Sequence, residues 1–367
     1  MNDQRLRLDL ADLAEEVTLV DVRDRVLRTS RRLGIRRAVA GSAAAVALLG
    51  AATGTAFAFS PKGSPGPTPG NLPSVVTSPS PADPWANVGR IFYLPTVSDM
   101  GNIPLTAWRP GGQPSTLVDL PGSVLGSNAA VSSDGRQVAW VQDTELMLAD
   151  VDGPNRRVVS AHVEAGSCWG PSWSPDSQSL AAAVMRRPGI PIAQYGLVDL
   201  KTGRFAPLKI SVNGCRPVWS ADGQLLAYTD GEGRVAVTNR HSSATRVVPR
   251  LGGNNVYDSY HVVSLSRDGS RVALLRTGPT EDDGDIARDL NANAVVDTRT
   301  GATVNLPLGG RKLIQAYFLP DDRLVARVKG GGGNQHLLLI DADGHLVTEV
   351  AEPAALANQQ ILAVTSS

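Results

Sequence analysis

The residues of this chain that can do chemistry are few and scattered. Five histidines (His162, His241, His261, His336 and His345) show no ligand spacing, and solvated loops account for them more simply than a metal does. Glu281, Asp282, Asp283, Asp285 and Asp289 crowd one segment, yet their order is not that of a calcium loop, so a solvated acidic loop explains them. No Gly-x-Ser-x-Gly, His-Glu-x-x-His, phosphate loop or Cys-x-x-Cys occurs. The sequence therefore predicts no catalytic site, no metal and no cofactor, and binding chemistry is what remains. The polar-aromatic run 254–261, which contains Tyr260 and His261, precedes an apolar strand, as do Asn128, Trp169, Arg216 and Gln315.

The elements that must position these groups repeat. Five segments share an apolar strand, a tight turn and a second apolar strand, with the turn aspartates at Asp134, Asp176, Asp222, Asp268 and Asp321, in steps of 42, 46, 46 and 53. The turn chemistry is explicit: aspartate bonds its own backbone and glycine accepts a positive φ. A further hairpin closes each unit, around Asp150, Asp199, Asp297 and Asp341. Two hairpins in about 45 residues make a four-stranded blade, and a ring of such blades hides most sheet edges.

At Pro171-Ser172-Trp173-Ser174-Pro175-Asp176 and Pro217-Val218-Trp219-Ser220-Ala221-Asp222 the chain resembles the TolB-like, WD40-like propellers. Of the other copies, those at Asp134 and Asp268 keep the Ser-x-Asp-Gly turn and the strand after it, and that at Asp321 keeps the aspartate and the strand. The resemblance covers the chain from about Val88 to its end and implies an all-β propeller, but its residues build turns and core in propellers of many functions. Strand-like segments at 90–94, 105–108 and 116–120 precede the first full repeat, and one at 360–365 follows the last. Joined, they complete a sixth blade and close the ring between the termini; a seventh requires strands hidden in the insert after Thr277.

In such a ring the residues that open successive blades lie around one end of the axis. Trp169, Arg216, Tyr260, His261, Asn128 and Gln315 are therefore expected to line a channel mouth as a binding surface, while satisfaction of the scaffold explains the same residues. Cys168 and Cys215 precede repeat tryptophans one blade apart, which suits a disulfide; two small buried residues are the alternative.

The first 87 residues read differently. Leu6, Leu10, Leu13, Val17 and Val20 form one helical stripe in a cytoplasmic stub, residues 1–37, that ends in clustered arginines. Residues 38–59 carry no charge, and 22 residues at ~1.5 Å make about 33 Å of helix, enough to cross a bilayer core. The arginines place the N-terminus in the cytoplasm and the bulk outside. A cleavage site near Ala58 gives a competing reading, a secreted domain. Prolines at 61, 65, 67, 69, 73, 79, 81 and 84 make residues 60–87 a linker ahead of the propeller at 88–367.

With 35 basic and 35 acidic residues, the charge gives no support for nucleic-acid binding. The leading expectation is a membrane-anchored, extracytoplasmic scaffold that binds an envelope protein or a small ligand at the propeller face. Two rivals stand beside it: an enzyme of lyase or lactonase type with its site in the channel, and a transmembrane sensor signalling through the stub.

Overall fold

A computed structural model describes residues 83–96, 101–124, 126–153, 155–164, 169–185, 193–208, 210, 215–253, 255–278 and 289–367. The stub, the uncharged segment 38–59, most of the linker, Cys168 and four of the five clustered acids lie outside the described residues. Among the described residues no helix is long and apolar enough to cross a membrane.

Six antiparallel sheets follow one another around an axis. Blade 1 joins the two ends of the repeat region: Gln359–Ser366 is its innermost strand, followed outward by Val88–Pro95, Asn102–Trp108 and Ser115–Pro121. Tyr93 pairs with Ile361 and Ile91 with Val364, so the expected closure is present. The innermost strands of blades 2 to 6 are Ala129–Val131, Ser172–Trp173, Val218–Trp219, Asp258–Leu265 and Leu313–Phe318. Blade 5 has three strands, and an isolated bridge from Val296 to Thr303 stands where a fourth would pair.

The Ser-x-Asp turns explain why the repeat is so regular. Ser132, Ser174, Ser220 and Ser266 each donate to the aspartate two residues on, at 2.6, 2.6, 2.7 and 2.9 Å. The same hydroxyls accept the backbone N–H that starts the next strand, at 2.9, 3.0, 2.9 and 2.9 Å. One side chain thus fixes both arms of the hairpin.

The second strands are buried on both faces because each blade packs between two neighbours, which is why they read as unbroken apolar runs rather than alternating ones. Ala139, Ala181, Ala227, Ala273 and Ala326 occupy matching positions in these strands and are fully buried. The outermost strands Thr245–Val247 and Leu346–Ala351 are largely exposed and more polar. Hydrogen bonds stitch the blades near the axis: Trp173 Nε1 donates to Ala130 O (2.9 Å), Ser264 Oγ to Ala316 O (2.9 Å) and Tyr317 Oη to Ile361 O (2.6 Å).

Candidate binding site on the propeller axis

A cavity of about 450 Å³ lies on the axis, lined by residues of all six innermost strands. Its rim is made by the first turns of the blades: Ser133, Asp134, Pro175 and Ala221 from Ser-x-Asp turns, and Pro320 from the turn at Asp321. Its walls are mixed: Val131, Val218, Val263, Leu265, Phe318 and Leu362 supply apolar surface, and Ser172, Ser220, Ser264 and Thr365 stand among them with hydroxyl side chains. The cavity therefore opens at the turn end of the propeller, opposite the end where the innermost strands begin.

Of the six residues expected to ring a channel mouth, Arg216 alone lines this cavity. It stands before Pro217, whose ring favours extended backbone in the residue ahead of it. The side chain reaches past blade 3 and donates from Nη1 to Ala129 O in blade 2, at 2.8 Å. It is 6% exposed, and its Nε–H is buried without a partner. Burial lowers its pKa from the ordinary arginine value, and the groups that oppose this are the phenols of Tyr317 and Tyr195; no carboxylate among the described residues pairs with it. A guanidinium stays protonated in proteins, so this is a buried cation facing a cavity, with no carboxylate among the described residues paired to it.

His261 is 1% exposed, and neither ring nitrogen has a hydrogen-bond partner. Burial, with the nearby Arg216 charge as the smaller cause, lowers its pKa to about 3, so the ring is neutral at ordinary pH. Gln315 is wholly buried and occupied with closing the ring: its Nε2 donates to Leu290 O and Ile361 O and its Oε1 accepts from Ile361 N–H, each at 2.9 Å, and Nε2 also reaches Tyr317 Oη at 3.2 Å. Asn128, Trp169 and Tyr260 are half-buried. Trp169 packs against Tyr195, with ring centroids 6.3 Å apart. Gly170 permits the close approach of blade 3 to blade 2 at this end, since a β-carbon there would overlap the Ser127 carbonyl. Arg216, His261 and Gln315 are thus buried, whereas Asn128, Trp169 and Tyr260 are partly exposed. Cys215 is buried and disulfide-bonded; Cys168, expected as its partner, is outside the described residues.

Two features carried no separable sequence signal. Trp219 also lines the cavity, and its indole N–H is buried without a partner, whereas the equivalent Trp173 donates to blade 2. Both tryptophans read only as repeat framework. The second is a buried pair in blade 6, Arg327 and Glu352, which ties the closing strand to its neighbours. Asp341, Asp343 and His345 bring ligand atoms within 4.8 Å of one another at an exposed hairpin, where His345 N–H already donates to Asp341 at 2.7 Å.

By sequence, the chain matches no protein-family model and no curated protein. By fold it is similar to a putative TolB from Agrobacterium tumefaciens, with 16% identity over 65% of this chain and 90% of that one, at a TM-score of 0.45. It is also similar to dipeptidyl peptidase 4 of Porphyromonas gingivalis (12% identity, 62% and 40% covered, TM-score 0.40). Prolyl oligopeptidase B of Galerina marginata is a further neighbour (14% identity, 72% and 44% covered, TM-score 0.41). The chain spans less than half the length of these two peptidases. Its own six sheets, rather than any of these likenesses, make it a six-bladed β-propeller.

Proposed function

We propose that this chain is a membrane-anchored, extracytoplasmic β-propeller that works by binding, as a scaffold in the cell envelope, and that the turn end of its axis is the binding face. The observation that carries the reading is a cavity framed by all six blades with a buried, uncompensated Arg216 in its wall. A fold gains nothing in stability from such a cation, which fits a role in recognition. The uncharged segment 38–59 with arginines on its N-terminal side supports the anchor and the outward orientation. The proline-rich linker would carry the propeller clear of the lipid.

Photo-crosslinking in intact cells tests the binding face. A benzophenone amino acid at the rim positions Ser133 or Ala221 should give a discrete adduct, and the same group on the outer strand at Val247 should not. Equal labelling from rim and outer strand, or none from the rim, contradicts the reading.

A further inference from the structure

We propose that the axial cavity is a site for a compact organic monocarboxylate, whose carboxylate pairs with the Arg216 guanidinium and whose apolar body lies against the cavity wall. The inference rests on the reading of this cavity as a binding site and adds the chemistry of what fills it.

Four observations point to this class. The first is charge. Arg216 has one hydrogen-bond acceptor, Ala129 O, leaving its Nε–H buried and unspent. Buried polar groups are almost always satisfied, and a buried cation needs an anion most of all. The second is the absence of competition. Among the described residues Asp134 is the only other charged one in the lining; it stands at the rim, and its Oδ1 already accepts from Ser132 Oγ and Arg136 N–H. The third is the single charge. One guanidinium neutralises one carboxylate and can bind it through two parallel N–H donors, whereas a dianionic phosphate calls for more cation than this lining holds. The fourth is the wall. Val218, Val263, Leu265, Phe318 and Leu362 offer an apolar surface, and about 450 Å³ is within the range of small-molecule sites. Trp219 adds a second unpaired N–H donor in the same lining.

Phenylacetate is a suitable probe, with phenylacetamide as its neutral counterpart and inorganic phosphate as a non-carboxylate anion. A ligand of this size is expected to bind with a Kd on the order of 1 mM. At roughly tenfold excess over that Kd, phenylacetate should raise the Tm of the whole chain in non-ionic detergent by about 2–3 °C, saturably. Phenylacetamide and phosphate at the same concentration should leave it unchanged. Arg216→Met keeps the stem of the side chain and removes the charge; it should keep the fold and lose the phenylacetate shift. Should that variant not fold, the wild-type chain still decides, because the indole N–H resonance of Trp219, assigned with Trp219→Phe, should move with phenylacetate and not with phenylacetamide. Equal responses to acid and amide, an equal response to phosphate, a shift that survives Arg216→Met, or no response to phenylacetate each overturns the proposal. None of these removes the rim crosslink, so the broader binding reading stands or falls separately.

Discussion

Arg327 Nη2 lies 2.7 Å from Glu352 Oε2, with both side chains no more than 2% exposed. The pair sits inside a network that reaches the closing strand. Tyr93 Oη donates to the other Glu352 oxygen at 2.8 Å, and Arg327 Nη1 donates to Gln359 O at 2.7 Å and Gln315 Oε1 at 3.1 Å. Arg327 also lies over the Tyr93 ring, 5.7 Å from its centroid. Burial, with the Glu352 charge second, pushes the Tyr93 phenol well above its ordinary pKa, so it remains a donor. Glu352→Ala strands the Arg327 cation and the Tyr93 hydroxyl at once. Loss of one partner of a buried pair costs about 3–5 kcal/mol, which a denaturant titration will register as a lowered midpoint at constant slope. Arg327→Met combined with Glu352→Leu should recover most of that loss, since an apolar pair leaves no orphaned charge.

Ring closure makes a separate prediction. Gln359–Ser366 is the innermost strand of blade 1 and pairs with Val88–Pro95 from Pro95 to Val88. Deleting residues 358–367 exposes the edge of Val88–Pro95 and removes the buried Ile361 and Leu362. The truncated chain should melt at markedly lower temperature and aggregate on heating. An unchanged transition in calorimetry contradicts the pairing.

Much of this was legible in the residues themselves, because the repeat is a local device. Ser174, Asp176 and Ser179 form their hairpin from within six residues, so the turn chemistry points directly to a blade. The unpaired segments at both ends required a partner, and each other was the only one available. The site was less legible. Arg216 was recognisable as a polar residue opening a blade, but its contact with Ala129 lies 87 residues away in sequence, and no spacing rule spans that distance. Gln315 and His261 open their blades as Arg216 does, and spacing alone does not tell that both are fully buried. Glu352 lies beyond the last repeat hairpin, where no pattern tied it to Arg327.

The disulfide gives a third prediction. We propose Cys168 as the partner of Cys215, the chain having two cysteines. A bridge closing a loop of this length removes chain entropy from the unfolded state worth about 4 kcal/mol at 25 °C. Cys215→Ser should lower stability by up to that amount, and free-thiol labelling of the denatured, unreduced chain should be negligible. Stoichiometric labelling of both thiols there excludes the bridge.

The last prediction concerns acid. His261 is held neutral in the folded chain, with a pKa of about 3 set first by burial and then by the Arg216 charge. The unfolded chain titrates this histidine near its ordinary value of about 6.5. Between those two values the unfolded state binds a proton that the folded state refuses. Stability contributed by the neutral ring is therefore fully present above about pH 6.5 and is lost progressively as pH falls, by up to about 1.4 kcal/mol per pH unit. The depressed aspartates act in the same direction, but only lower down. Hydrogen bonds from Ser174 hold Asp176 below its ordinary pKa, and those from Thr202 do the same for Asp199; what they contribute is present above about pH 4 and lost below it. The window from pH 6.5 to 4.5 thus isolates His261 from these acids. The measurement is a difference between the wild-type chain and a variant at this one position. In urea titrations the wild-type chain should lose stability across it, and His261→Phe, which keeps a buried ring that takes up no proton, should lose measurably less. If the two slopes coincide, His261 is protonated in the folded chain, and its ring is open to water.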